Sequence, residues 1–90
     1  MVADKNQNIV GPVIRSMRMD AGLSQEKLAL KVQLSGWDLS RGGLSKIEAQ
    51  LRRVNDAELL VISRALGCEI QDLYPKRVSG LRDVLRQGRS

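Results

Sequence analysis

Apolar side chains recur along this chain at helical spacing, in short segments most of which are closed by a glycine or proline and reopened by a residue suited to cap a helix. Val10, Val13, Ile14 and Met17 line one face of a first helix spanning about Ile9 to Ala21. Asn8 is placed to cap it, Pro12 falls in its opening turn where a missing N–H is tolerated, and Gly22 supplies the left-handed residue that ends it. A second helix opens at Ser24, turns Leu28, Ala29 and Val32 inward and stops near Leu34 or Ser35, with Gly36, Trp37 and Asp38 in a turn. The third follows Ser40 and runs to about Gln50, with Leu44, Ile47 and Leu51 as a narrow i, i+3, i+7 stripe. The fourth starts at Asn55, where Glu58 completes a capping box. It buries Leu59, Leu60, Ile62, Ala65 and Leu66 and closes at Gly67. Glu69 to Tyr74 reads as one short helix stopped by Pro75, and Leu81, Val84 and Leu85 form a weak amphipathic turn after Ser79. Strand-like alternation and internal repeats are absent from the sequence. The expected fold is all-α: a compact bundle of five to six helices with a flexible segment 1–8, a domain 9–75 and a basic tail 76–90.

With 90 residues there is room for one core. Cys68 is the only cysteine and histidine is absent, which excludes disulfide staples, Cys/His zinc sites and histidine-based catalytic triads. No metal, cofactor or small-molecule ligand is expected, and no enzyme activity. No apolar run is long enough to span a bilayer, and the polar opening Met1 to Asn8 lacks the apolar stretch of a signal peptide, so a cytoplasmic protein without membrane contact is expected.

The net charge of +5 is unevenly distributed. Residues 39–53 carry 4 basic and 1 acidic side chain and residues 76–90 carry 5 and 1, flanking the block 54–75 with 1 and 4. Two basic stretches suggest a polyanionic partner. With no Phe, one Trp and one Tyr, the chain lacks the aromatic platforms that stack single-stranded nucleic acid, which favours duplex DNA.

Between about Asn8 and Pro75 the chain resembles the phage-repressor and Cro-like helix-turn-helix family, also called the XRE family. The resemblance is carried by Ile14-Arg15 and Met17-Arg18, Gly22-Leu23-Ser24-Gln25, Leu28-Ala29, Leu44-Ser45-Lys46-Ile47-Glu48, Ala65-Leu66-Gly67, Ile70 and Asp72-Leu73. It implies a DNA-binding transcription regulator, of repressor type, whose third helix enters the major groove. By this resemblance Arg41, Ser45 and Lys46 read bases. Gln25, Ser40, Gly42, Gly43, Arg52 and Arg53 lie against the sugar-phosphate backbone, and Arg18 and Glu48 form a structural ion pair. A homodimer spanning two half-sites is the expected functional unit. The alternative is a protein-interaction module, such as an antitoxin or adaptor, built on the same fold.

Two features depart from the family pattern. About five extra residues, Leu34-Ser35-Gly36-Trp37-Asp38, lengthen the turn between the second and third helices. Gly42-Gly43 leaves two reading positions blank, which permits the backbone to approach DNA closely. Other residues carry two readings each. Trp37 is a plug over the core edge or an interface aromatic, and Cys68 is a packing residue or a redox sensor. Glu48 as a lone carboxylate has no partner for catalysis. Lys76, Arg77, Arg82, Arg86 and Arg89 of the tail are solvated charge, DNA-backbone contacts or part of a dimerising helix.

Overall fold

The computed structural model describes residues 6–85, which form five α-helices and one 3-10 turn in the order α1 (Gly11–Asp20), α2 (Gln25–Leu34), α3 (Arg41–Glu48), α4 (Asp56–Leu66), a 3-10 turn (Ile70–Leu73) and α5 (Leu81–Val84). No strand occurs among the described residues. Residues 1–5 of the opening segment and Arg86 and Arg89 of the tail lie outside them.

Local chemistry sets most of the boundaries. Ser24 Oγ accepts the Lys27 amide at 3.1 Å, Ser40 Oγ accepts the Gly43 amide at 2.9 Å, and Asn55 and Glu58 exchange the two bonds of a capping box at 2.8 and 3.0 Å. At the other ends, Gly22 (φ 73°) and Gly67 (φ 72°) take the left-handed conformation. The amides of Gly22 and Leu23 then return to the Met19 and Arg18 carbonyls, and those of Gly67 and Cys68 to the Arg64 and Ser63 carbonyls.

The core is built from Ile14, Leu28, Val32, Leu44, Ile47, Ile62 and Leu73, none of which is accessible to solvent. α3 packs on both α1 and α2, and α4 packs on α2 and the 3-10 turn. Ala29, only 2% exposed, is the small residue at the centre of this cluster.

Four expectations are corrected. α3 ends at Glu48, and Leu51 is 58% exposed instead of continuing its apolar stripe. The reason is Gln50, which takes φ 63° and closes α3 by the same turn that glycine makes elsewhere, so the helical phase is lost before Leu51. On α4, Leu60 is 40% exposed, and the inward position falls to Ser63, whose hydroxyl donates to the Leu60 carbonyl at 2.7 Å. The segment Glu69 to Tyr74 narrows to a 3-10 turn.

The fourth correction concerns the opening segment, which is anchored at its end. The Gln7 amide donates to the Gln50 carbonyl at 2.9 Å, and Asn8 is buried. Asn8 Oδ1 accepts the Gly11 amide at 2.8 Å, while its Nδ2 donates to the Ile47 and Arg52 carbonyls at 3.1 and 2.9 Å. Gln50 Nε2 completes the junction by donating to the Asn8 carbonyl at 2.8 Å. Asn8 therefore serves two purposes, meeting an orphan amide of α1 and tying α1 to the end of α3. Asn8→Ala strands the Gly11 amide and the Arg52 carbonyl, and is expected to cost about 2 kcal/mol or more in urea unfolding. An effect below half a kcal/mol would show that water replaces the side chain at no loss.

Candidate nucleic-acid interface

α3 presents two unlike faces. Leu44, Ile47 and Glu48 point into the fold, while Arg41, Gly42, Lys46 and Ala49 are exposed and Ser45 is half-buried. The helix is eight residues long, capped by Ser40, and its first two residues, Arg41 and Gly42, are exposed. Exposed cations near both ends of the helix, with glycine beside the first, are an arrangement that can reach into a groove lined with hydrogen-bond acceptors.

The two glycines differ. A Cβ on Gly42 would meet nothing nearer than Ser40 Oγ at 3.8 Å, so that position is open. A Cβ on Gly43 would lie 2.9 Å from Leu39 Cδ1, and Leu39 is buried. A side chain at position 43 would therefore oblige the buried Leu39 to shift, a packing constraint that the sequence did not announce.

Behind α3, Glu48 forms the centre of a polar cluster. Arg18 donates to its carboxylate twice, from Nε to Oε2 at 2.7 Å and from Nη2 to Oε1 at 3.0 Å, and uses Nη1 to bond the Leu23 carbonyl at 2.8 Å. The hydrogen bond to Glu48 raises the Arg18 pKa above its already high ordinary value, with the Glu48 charge adding to it and burial opposing, so the guanidinium stays charged. Gln25 Nε2 donates to Glu48 Oε1 at 3.0 Å. An amide nitrogen carries two N–H donors, so one remains at the start of α2. Arg15, Gln25, Ser45, Glu48 and Ala49 together line a shallow depression of about 240 Å³ among the first three helices. Arg15 is an exposed cation of this surface, quoted above within the family match but assigned no role from the sequence. Its position three residues before Arg18, on the same side of α1, was the available signal.

A family model described as helix-turn-helix matches residues 14–73. The chain belongs to the XRE-type helix-turn-helix family. Its fold is similar to that of the restriction-modification controller protein C.AhdI from Aeromonas hydrophila, with 31% identity, a TM-score of 0.65, and coverage of 72% of this chain and 87% of that one. It is also similar to the clp gene regulator ClgR from C. glutamicum, with 26% identity, a TM-score of 0.66, and coverage of 87% of this chain and 86% of that one. No curated protein sequence matches. In family terms α2 and α3 are the helix-turn-helix pair, joined by residues 35–40.

The arginines after α3 are engaged within the fold. Arg52 Nη2 lies 3.1 and 3.2 Å from the two carboxylate oxygens of Glu58, and its guanidinium stands 5.8 Å from the centre of the Trp37 ring. Arg53 Nη1 donates to the Val84 carbonyl of α5 at 3.3 Å and remains exposed. Trp37 is half-buried against the core, the position of a plug. Burial, then the nearby charges of Asp72 and Glu69, push the Cys68 thiol up, so at neutral pH it is protonated, as suits a packing residue. Among the described residues no group of three or more His, Cys, Asp or Glu side chains is placed to hold a metal ion, and no helix is long and apolar enough to cross a membrane.

Proposed function

We propose that this protein is a cytoplasmic, non-enzymatic transcription regulator of repressor type that binds duplex DNA as a homodimer, laying the front of α3 into the major groove of each half-site. The observation that carries the reading is the outer face of α3, where Arg41 and Lys46 are exposed around an open Gly42 while Leu44, Ile47 and Glu48 hold the helix from behind. Arg41 suits a bidentate pair with guanine O6 and N7, worth about 1 to 3 kcal/mol of discrimination, and Lys46 and Ser45 supply further contacts to base edges. Phosphates are held by the second N–H of Gln25 Nε2, the front of α3 at Ser40, Gly42 and Gly43, and the charge of Arg15 and Arg53, while the charge of Arg52 is largely offset by Glu58. A similar fold in two proteins named as a controller and a gene regulator supports the regulatory assignment.

Binding-site selection at fixed salt tests the proposal. Arg41→Ala is expected to relax preference at one base position by roughly 10-fold or more, and Lys46→Ala at a neighbouring one. Gly42→Ala separates folding from binding. It has room for the methyl group and removes a helical glycine, so stability rises by up to about 0.5–1 kcal/mol, while duplex affinity falls because the new Cβ holds the backbone off the groove. Wild-type association must also weaken steeply with salt. Association indifferent to salt and to all three substitutions would point to a protein-interaction module instead.

A further inference from the structure

We infer that Trp37, Arg52 and Glu58 form a clamp across the two loops flanking α3, and that they act as positioning residues for base reading; the role in reading rests on the duplex-binding proposal above. Trp37 precedes the Ser40 cap and Arg52 follows the end of α3, so the stacked pair joins the chain entering the reading helix to the chain leaving it. The contact is anchored at both ends. On the leaving side, the Arg52 carbonyl accepts from Asn8 Nδ2 at 2.9 Å. Its guanidinium meets a Glu58 carboxylate that is itself fixed by the capping box with Asn55. On the entering side, Trp37 packs on the core, and Gln33 Nε2 reaches from α2 to the Leu39 carbonyl at 2.7 Å.

The physical need for such a device follows from the length of α3. Eight residues held by Leu44, Ile47 and Glu48 are secured toward their rear, whereas Arg41 and Gly42 at the front are exposed. A turn lengthened by several residues would ordinarily loosen that front end. Trp37 removes the slack by seating the turn, and Arg52 lies over the ring where a cation is attracted to the aromatic face. Because the Arg52 charge is offset by Glu58, its effect on DNA is exerted chiefly through the geometry of α3, and only weakly as sequence-independent attraction.

The test compares wild type, Arg52→Lys, Arg52→Met, Trp37→Leu and Trp37→Phe for affinity to a selected duplex and a scrambled one at two salt concentrations, with circular dichroism checking that each remains folded. Arg52→Lys keeps the charge and Trp37→Leu alters none, yet each is expected to lower the ratio of selected to scrambled affinity about tenfold with the salt slope unchanged, while Trp37→Phe retains most of it. If Arg52 is merely a phosphate contact, Arg52→Lys and Trp37→Leu are silent, whereas Arg52→Met weakens both duplexes equally and lowers the salt slope by about one. That pattern overturns the proposal. Emission of the single tryptophan is read without DNA. Arg52→Met should raise quenching of Trp37 by acrylamide, a neutral quencher that reads exposure without responding to the lost charge, and unchanged quenching overturns the clamp itself. A wild type that binds no duplex, with quenching raised as expected, overturns the DNA reading and the positioning role while leaving the contact standing.

Discussion

Gly11→Ala is expected to destabilise the protein by about 3 kcal/mol, although alanine is ordinarily the better helix former by about 1 kcal/mol. The reversal of sign comes from the surroundings of the position. Gly11 is the first residue of α1 and is buried where α1 runs onto the end of α3. A Cβ there would collide with the Ile47 carbonyl oxygen, and would stand 2.9 Å from the Glu48 carbonyl and 3.0 Å from Asn8 Oδ1. Two of these atoms are backbone, so no side chain can swing aside, and relief requires α1 to move off α3. That motion would stretch the Asn8 bonds to Gly11 and Ile47 and weaken the burial of Ile14. Urea unfolding followed by circular dichroism checks the size. A thermal scan should show a melting temperature lower by about 10–20 °C, given the sensitivity of domains this small. Gly11→Val should be worse still. A neutral or stabilising Gly11→Ala would mean that α1 and α3 do not approach as closely as described.

The second large effect belongs to Glu48. Glu48→Ala is expected to cost about 3 to 5 kcal/mol, because it leaves Arg18, a residue only 8% exposed, with no counter-charge and a single remaining bond to the Leu23 carbonyl. It also frees the Gln25 amide at the start of α2. For a domain whose total stability is on the order of 5 to 15 kcal/mol, this is enough to populate the unfolded state near body temperature. The loss is uncompensated desolvation and should not be counted as the worth of the ion pair. Arg18→Met combined with Glu48→Leu should therefore recover most of the stability, since apolar replacement of a buried pair is often neutral or better. The double variant should nonetheless bind DNA less well, because Gln25 loses the partner that orients it. A double variant no more stable than Glu48→Ala would show that the cluster is needed for packing beyond its charges.

Residue chemistry alone accounted for much of this fold. Ser24, Ser40, Asn55 with Glu58, Gly22 and Gly67 each marked a helix end that the structure confirms, since a cap is decided by atoms within a few residues of itself. Ile14, Leu28, Ala29, Val32, Leu44, Ile47 and Leu59 were likewise legible as core from spacing. Leu51 and Leu60 were not, because spacing tells which residues share a face and remains silent on where the helix stops or which part of that face meets a neighbour. In the candidate interface, Arg41 and Lys46 were singled out from the sequence, and both are exposed on α3.

The sequence by itself determined where most of the helices begin, which side of each is apolar and which stretches concentrate basic residues, all of which are written in the order and spacing of near neighbours. Only the tertiary structure decided that Gly11 leaves no room for a side chain, that Asn8 and Gln50 weld α1 to the end of α3, and that Arg52 lies over Trp37 against Glu58. These are contacts between residues far apart in the chain, whose partners become neighbours only once the core has brought the helices together. Such contacts leave no periodic trace along the sequence.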